Sequence, residues 1–211
     1  MKCKLLVAGL IAGALVCGSA ALAAAEQKQP KPGPVEKAAE QQILQVRDAV
    51  VDGLWLKTDE YWHSQQNLER VVEICRQVIE LDPKFAEAYS VAAWLSVQSD
   101  KDEQALEFYK QGIERNPDSY TLLHELGFEY YMMHKHDPRA ALPYLKRAAE
   151  LPSPIPFKRT YAHALTQAGK FQEAAAEWRK ILKQYPNDPI ARKELAKLRA
   201  AGKLEQEPKA P

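Results

Sequence analysis

Residues 86–119 read AEAYSVAAWLSVQSDKDEQALEFYKQGIERNPDS. The proline near the end of this stretch, Pro117, lies 34 residues after Pro83, and Pro186 follows after a further 69 residues, which is about two more periods. Self-similarity at such a period is typical of stacked helical hairpins, in which each hairpin buries its apolar face against the next. The sequence therefore predicts a repeat protein that presents an extended surface.

The apolar residues of the quoted stretch recur at the spacing of amphipathic helices. Leu106, Tyr109 and Ile113 are three and four residues apart, so they form one stripe along a helix. Small residues on the same helix, Ala105 and Gly112, allow two helices to approach closely. The stretch is therefore predicted to form two packed helices.

Three further units repeat this arrangement with their own departures. The four predicted units are residues 52–85, 86–119, 120–154 and 155–188. The third unit is lengthened by one residue in the turn over 133–137, and the first keeps Trp55, Trp62 and Pro83 of the pattern. Four similar units in a row are much more specific than any single match.

Together these units resemble the tetratricopeptide repeat family, with its pattern W-x₂-L-G-x₂-Y…A-x₃-F…P. Tyr89 and Ala93 stand at positions of this pattern in the second unit, Gly127 in the third, and Gly169 and Trp178 in the fourth. The resemblance implies an all-α, right-handed superhelix of about four helical hairpins within residues 52–202, with capping helices over 36–51 and 188–201.

Local signals predict where the helices begin and end. Four pairs of Asp or Asn with proline predict helix starts, because the first residue caps the helix and proline costs no hydrogen bond at the first helical position. These pairs are Asp82-Pro83, Asn116-Pro117, Asp137-Pro138 and Asp188-Pro189. Asp100 followed by Glu103 predicts a capping box, and Gly169 is predicted to end the first helix of the fourth unit.

The first residues have the layout of a secretory signal peptide, predicted over residues 1–25. Lys2 and Lys4 precede an apolar run over 5–16 that is too short to span a membrane comfortably. Ala23-Ala24-Ala25 then provides a cleavage site of small residues. The mature protein is therefore expected to be exported to the periplasm or the extracellular medium, without a transmembrane segment.

Cys17 leaves a second interpretation open, in which the chain is acylated on this cysteine as a bacterial lipoprotein. Val16 stands where that motif has a small residue, so the match is poor. After the signal, residues 26–35 form a linker rich in proline and lysine. Residues 203–211 lack an apolar stripe and are predicted to be a disordered tail.

Residues 36–51 are predicted to form an N-terminal capping helix. Ile43, Val46 and Val50 form an apolar stripe along it, and we expect this stripe to cover the exposed flank of the first unit. A coiled coil that binds a partner is the alternative interpretation of the same stripe.

Composition excludes some classes of partner. The chain has 29 basic and 28 acidic residues, and removal of the signal takes away Lys2 and Lys4, so the net charge changes from +1 to −1. Such a balance gives no footprint for nucleic acid or an anionic membrane. Cys75 is then the one cysteine left, and it is predicted to be an inert core residue, with an intermolecular disulfide as the alternative.

The family resemblance implies that ligands bind to the first helix of each unit, on the concave face of the superhelix. The residues that this assigns to partner binding are His63, Glu87, Trp94, Gln98, His124, Phe128, Tyr131, Arg159 and His163. Such a groove has aromatic side chains for a peptide with apolar anchors. Its three histidines suggest that protonation near pH 6 alters ligand affinity, and chance placement on a solvated face is the alternative.

Two further comparisons with known motifs narrow the function. Family members that capture a terminal carboxylate use lysine and asparagine for it. Here those positions hold Leu56, Glu60 and Ser90, so the sequence does not support binding of a terminal carboxylate in this way. Residues 134–137, His-Lys-His-Asp, are the one cluster that resembles metal ligands, and zinc requires three or four convergent ligands. The sequence contains no nucleophile elbow, metalloprotease helix, phosphate loop or C-x-x-C pair.

These observations predict a non-enzymatic scaffold or adaptor of the bacterial cell envelope that binds a protein or peptide and needs no cofactor or metal. Two alternatives belong to other classes. One is a structural module that associates with further copies of itself, and the other is a small metal-dependent hydrolase that uses His134 and His136.

Overall fold

The computed structural model describes residues 33–64 and 66–204. The predicted signal peptide, Cys17, most of the linker and residues 205–211 of the predicted tail lie outside the described residues. The chain divides into two compact units, and of the first the structure describes only its last seven residues, which begin the first helix. The second unit begins at Glu40, within this helix.

The described residues form helices and no strands. The helices are α1 (Pro34–Asp59), α2 (Leu68–Leu81), α3 (Ala86–Gln98), α4 (Asp102–Arg115), α5 (Tyr120–Glu125), α6 (Pro138–Glu150), α7 (Ile155–Gln167), α8 (Phe171–Gln184) and α9 (Pro189–Ala200). Two π-helical segments, Glu60–Ser64 and Leu126–His134, continue α1 and α5. Within the described ranges, no helix is both long enough and apolar enough to cross a membrane.

The helices pack as hairpins that follow one another in chain order. Helix α3 packs on α4, α5 with its π-helical segment packs on α6, and α7 packs on α8. Successive hairpins meet where α2 contacts α3, α4 contacts α5 and α6 contacts α7, and α9 packs on α8. This arrangement confirms the predicted all-α solenoid of helical hairpins.

Helix α1 runs without a break through residues 51 and 52, where the sequence predicted a boundary between a capping helix and the first unit. The predicted apolar stripe does not cover the first unit. Ile43 and Val46 are 68% and 65% exposed, and Val50 is also exposed. Burial begins only at Val51, so the earlier part of the helix presents its stripe outward.

The core consists of two clusters of buried side chains. The first is built mainly from α2, α3 and α4 and contains Cys75, Tyr89 and Tyr109, and the second is built mainly from α6 to α9 and contains Leu145 and Trp178. Burial raises the pKa of the Cys75 thiol to about 12, so this cysteine stays protonated and unreactive, as predicted for a core residue.

Close helix packing requires the small residues that the pattern contains. A Cβ atom on Gly112 of α4 would lie 2.8 Å from Tyr89 Cβ in α3. A Cβ atom on Gly127 would lie 2.7 Å from Leu145 Cγ in α6. Both distances are far shorter than a carbon–carbon contact allows. These two glycines therefore let their hairpins close.

The four Asx-proline pairs do not have one common role. Asp137 and Asp188 are N-caps as predicted, since their side chains accept hydrogen bonds from Ala140 N at 3.0 Å and Ala191 N at 2.7 Å. The prediction is wrong for Asp82 and for Asn116.

Asp82 and Asn116 end the preceding helix instead. Their backbone carbonyls accept hydrogen bonds from the amides of Phe85 and Ser119, each at 3.0 Å, so each proline lies in a turn before the next helix begins. Asp188 N and Tyr185 O make the same 3.0 Å contact around Pro186. The repeated prolines therefore mark turns between hairpins.

Each turn inside a hairpin contains one residue in the left-handed region. These residues are Gln66 (φ 50°), Asp100 (φ 55°), His136 (φ 53°) and Gly169 (φ 77°). The prediction for Gly169 is confirmed. The capping box predicted at Asp100 is wrong, because Asp100 makes the turn and Lys101 is the N-cap residue of α4.

Candidate functional site

The first helix of each hairpin lies beside the first helix of the next. Side-chain contacts connect these helices at each step, among them Trp62 with Trp94, Ser90 with Glu125, His124 with Thr160, and Arg159 with Asp188. They run in order from the end of α1 through α3, α5 and α7 to the N-cap of α9. We call the surface that these helices share the first-helix face.

A stacked tryptophan pair, one of whose rings is exposed, lies at one end of this face. The rings of Trp62 and Trp94 are 5.4 Å apart between centroids and only 11° from parallel. Trp94 remains 40% exposed. Beside the pair is a cavity of about 300 Å³ whose wall includes Ser90, Glu125 and Glu129. We call this cavity the acid–aromatic pocket.

A second cavity of about 220 Å³ adjoins the pocket. Trp94 and Glu129 line both cavities, and Gln98 and His134 line the second alone. Two of the predicted partner-binding residues, Trp94 and Gln98, therefore face connected open space between α3 and the π-helical segment after α5.

The pocket has an acidic electrostatic environment. Burial raises the pKa of Glu125, the hydrogen bond from Ser90 Oγ opposes this rise, and the nearby charges of Glu129 and Glu87 add to it. Burial likewise raises the pKa of the Tyr109 phenol, with Glu125 and Glu129 contributing. The charges of Glu129 and Glu87 thus act on Glu125 at a site lined in part by aromatic rings.

His124 and Phe128 form a separate aromatic cluster farther along the face. The His124 ring stacks on Phe128 at 5.2 Å and meets the edge of Phe157 at 4.8 Å, and His124 Nε2 is 3.3 Å from Thr160 Oγ1. Burial lowers the pKa of His124 below its ordinary value of 6.5. Burial therefore opposes protonation of this residue.

The remaining predicted residues differ in their surroundings. Glu87 and His63 are exposed. Tyr131 stacks on Tyr144 of α6 at 5.6 Å, and His163 meets Trp178 of α8 edge-on at 4.8 Å, so both contact the second helix of their own hairpin. Burial lowers the pKa of His163 too.

Arg159 is engaged within the protein. It donates hydrogen bonds to Oδ2 of Asp188, whose side chain is almost fully buried. Burial opposes ionisation of Asp188, but the hydrogen bonds from Arg159 and the Ala191 amide outweigh it and hold the pKa of this carboxyl below its ordinary value. Arg159 therefore has a structural partner between α7 and α9.

Sequence reasoning did not select Glu125, Glu129 or Trp62. Glu125 and Glu129 directly follow the predicted residues His124 and Phe128. The backbone changes to π-helical hydrogen bonding at Leu126, which rotates the following side chains relative to an α-helical register. The signal in the sequence that could have identified the two glutamates is their spacing of four residues, which puts two side chains on one side of a helix.

The His-Lys-His-Asp cluster does not converge on a common point. His134 Nε2 lies 2.6 Å from Asp102 Oδ1, Lys135 pairs with the same carboxylate, and Asp137 caps α6. Across residues 33–64 and 66–204, no three His, Cys, Asp or Glu side chains are arranged to hold a metal ion. His134, one of the two residues named for a metal-dependent hydrolase, thus has Asp102 as its partner.

Comparisons with known proteins agree with the repeat architecture. The tetratricopeptide repeat family matches residues 86–119 and 156–198. No curated protein sequence matches the chain. Taken with the stacked hairpins, the two matches show that this chain contains tetratricopeptide repeats.

Solved structures share the fold at low sequence identity. The pilF protein of Pseudomonas aeruginosa is 21% identical with a TM-score of 0.55, covering 74% of this chain and 70% of its own. PilW, a type IV pilus biogenesis factor, is 23% identical with a TM-score of 0.52, covering 73% and 71%. YrrB, a repeat protein with an unusual peptide-binding site, is 23% identical with a TM-score of 0.51, covering 70% and 76%.

Proposed function

We propose that this protein is a non-enzymatic scaffold or adaptor of the bacterial cell envelope that binds a protein or peptide segment on its first-helix face. The observation that carries the proposal is the exposed Trp94, stacked on Trp62 beside an open pocket. Partly exposed tryptophans in a concave surface supply much of the binding free energy at protein interfaces, about 2 kcal/mol or more each.

The envelope location is supported by two independent observations. The first 25 residues have the layout of an export signal. The second observation is that two proteins of similar fold are pilF and the pilus biogenesis factor PilW. Peptide binding is supported separately by YrrB, a protein of similar fold that has a peptide-binding site. An exported repeat protein with an aromatic groove is well suited to hold a segment of another envelope protein.

Affinity capture with the mature protein tests the binding face. The Trp94→Ala variant is expected to lose proteins that the unaltered protein retains from an envelope extract, because the exposed indole is removed. Tyr185→Ala is the matched control, since Tyr185 is similarly exposed at the end of α8. If both variants capture the same proteins as the unaltered chain, the first-helix face is not the binding surface.

The mass of the exported protein tests its processing. Cleavage after Ala25 gives a mature chain that begins at Glu26, whereas lipidation gives an acylated chain that begins at Cys17. A protein that keeps residues 1–25 and stays in the cytoplasm contradicts the envelope assignment.

Self-association is a second candidate function, favoured by the exposed stripe on α1. Ile43, Val46 and Val50 recur at three- and four-residue spacing and are all exposed. Such a spacing of exposed apolar residues is the pattern by which two helices pack on each other, and Arg47 beside the stripe pairs with Asp48 of its own helix. Sedimentation of the mature protein is then expected to show a dimer that Val46→Glu converts to a monomer. A monomer at every concentration rejects this candidate.

A further inference from the structure

The acid–aromatic pocket has negative charge that no described basic side chain neutralises. Glu125 and Glu129 line it, and Glu87 is close enough to act on the ionisation of Glu125. The hydrogen-bond donor to Glu125 is the uncharged hydroxyl of Ser90. The ion pairs found among the described residues all lie elsewhere.

The basic side chain that lines the adjoining cavity already has an acidic partner. His134, which lines the adjoining cavity, is hydrogen-bonded to Asp102, and Lys135 pairs with that same carboxylate. Lys101 pairs with Glu69. None of the residues that line the pocket is basic, so a positive group of a ligand can neutralise its carboxylates.

The aromatic wall of the pocket is suited to the same kind of group. Trp62 and Trp94 lie nearly parallel, and part of the Trp94 ring is open to solvent. The face of an indole attracts a cation that lies over it. A guanidinium group is planar, so it can stack on an indole while its N–H groups donate to a neighbouring carboxylate.

We infer that the acid–aromatic pocket binds a basic side chain of the peptide ligand, with arginine preferred to lysine. The inference rests on the proposed function and adds the chemistry of the ligand to it. In this arrangement the guanidinium lies over Trp94 and donates to Glu125 or Glu129, while apolar neighbours in the peptide contact Trp62 and Val91. A peptide with an acidic residue at this position is repelled by the glutamates.

A phage-displayed library of random dodecapeptides, selected on the mature protein, tests this inference. Bound peptides are expected to be enriched in arginine, and in lysine to a smaller degree. The variant Glu125→Gln with Glu129→Gln keeps the shapes of both side chains, and its selected peptides are expected to lose this enrichment. The affinity of the most enriched arginine peptide should fall about tenfold in the same variant, because charge-assisted hydrogen bonds are lost.

The matched control also removes two glutamate charges, but from the second helices of two hairpins. Glu80→Gln with Glu114→Gln alters exposed residues of α2 and α4 and is expected to leave both the enrichment and the affinity unchanged. Circular dichroism confirms that each variant is folded. An equal loss in the control variant means that net charge, not the pocket, attracts the peptide, and this result overturns the inference.

Failure of the inference can be distinguished from failure of the proposed function. If peptides without basic residues are selected and Trp94→Ala abolishes their binding, the face binds peptides and the charge preference is wrong. If the unaltered protein enriches nothing beyond Trp94→Ala, the proposed binding face is wrong and the inference falls with it.

Discussion

Asp100 and Gly169 make the same turn in two different hairpins. In each case the residue has positive φ, and the amide that follows it donates to a carbonyl five residues earlier, Lys101 N to Ser96 O and Lys170 N to Leu165 O, both at 2.9 Å. This is the hydrogen-bond pattern of a Schellman motif. Glycine takes this conformation without a steric penalty, whereas aspartate has a Cβ atom that opposes it.

Asp100→Gly is therefore expected to stabilise the protein by about 1 kcal/mol, because it relieves the left-handed turn. Gly169→Ala is expected to destabilise it by about the same amount for the converse reason. Urea unfolding at neutral pH measures both changes. An Asp100→Gly variant that is no more stable than the unaltered protein contradicts this account of the turn.

At position 112, even the methyl group of alanine is expected to be too large for the space between α3 and α4. Gly112→Ala places a Cβ atom 2.8 Å from Tyr89 Cβ, so α3 and α4 must separate, at a cost of about 1–3 kcal/mol. Gly53→Ala is the control within a helix, since nothing lies within 4 Å of its added Cβ atom, and it is expected to stabilise α1 slightly. The difference in urea midpoint between the two variants measures the steric term, and equal midpoints argue against close packing at Gly112.

At the scale of helices and turns, the repeat period predicted most of the architecture. A period of 34 residues with small residues at fixed positions determined the hairpins from α3 to α8. The exact caps were harder to predict, because an Asx-proline pair fits both a helix start and the turn that precedes one. The carbonyls of Asp82 and Asn116 accept hydrogen bonds from amides three residues later. This local turn, which the residue pair alone does not reveal, decides between the two roles.

The surroundings of the candidate site were predictable only in part for a related reason. Trp94 and Gln98 lie on a regular α-helix and line a cavity, and their role in partner binding stays a prediction. Glu125 and Glu129 lie where α5 becomes π-helical, and Trp62 lies in the other π-helical segment. A pattern based on 3.6 residues per turn does not follow the chain through such segments.

Asp188 connects two elements, since it caps α9 and pairs with Arg159 of α7. Asp188→Asn is expected to keep the cap and lose the charge, costing about 1–2 kcal/mol at pH 7. The folded-state pKa of Asp188 lies below its ordinary value of 3.8, so the ionised group stabilises the protein above that pH and its contribution is lost as pH falls further.

Urea unfolding at a series of pH values tests this assignment. The gap in stability between Asp188→Asn and the unaltered protein is expected to close as the pH falls below 3.8. Asp188→Ala should cost more than Asp188→Asn at every pH, because it also removes the cap. A gap that stays constant down to acidic pH contradicts a role for the ion pair.

At the scale of the second compact unit, the core is divided along the chain. One cluster is centred on α2 to α4 and the other on α6 to α9, and Tyr131 is among the side chains that pack against both. In a repeat protein each hairpin contacts only its neighbours, so stability is a sum of local terms rather than one global quantity. A substitution that destabilises one cluster should therefore lower the stability of that cluster and of the hairpins that contact it directly, and leave the other cluster largely unchanged.

Trp178→Ala tests this division, because the ring is fully buried in the second cluster. The cavity it leaves should cost about 3–5 kcal/mol. Backbone amides of α7, α8 and α9 are expected to exchange hydrogen much faster, while those of α2 and α3 keep most of their protection. Val78→Ala in the first cluster is the reciprocal control and should produce the opposite pattern. Hydrogen exchange measured by mass spectrometry follows both ends of the chain at once, and uniform acceleration in either variant means that the hairpins unfold as a single cooperative unit.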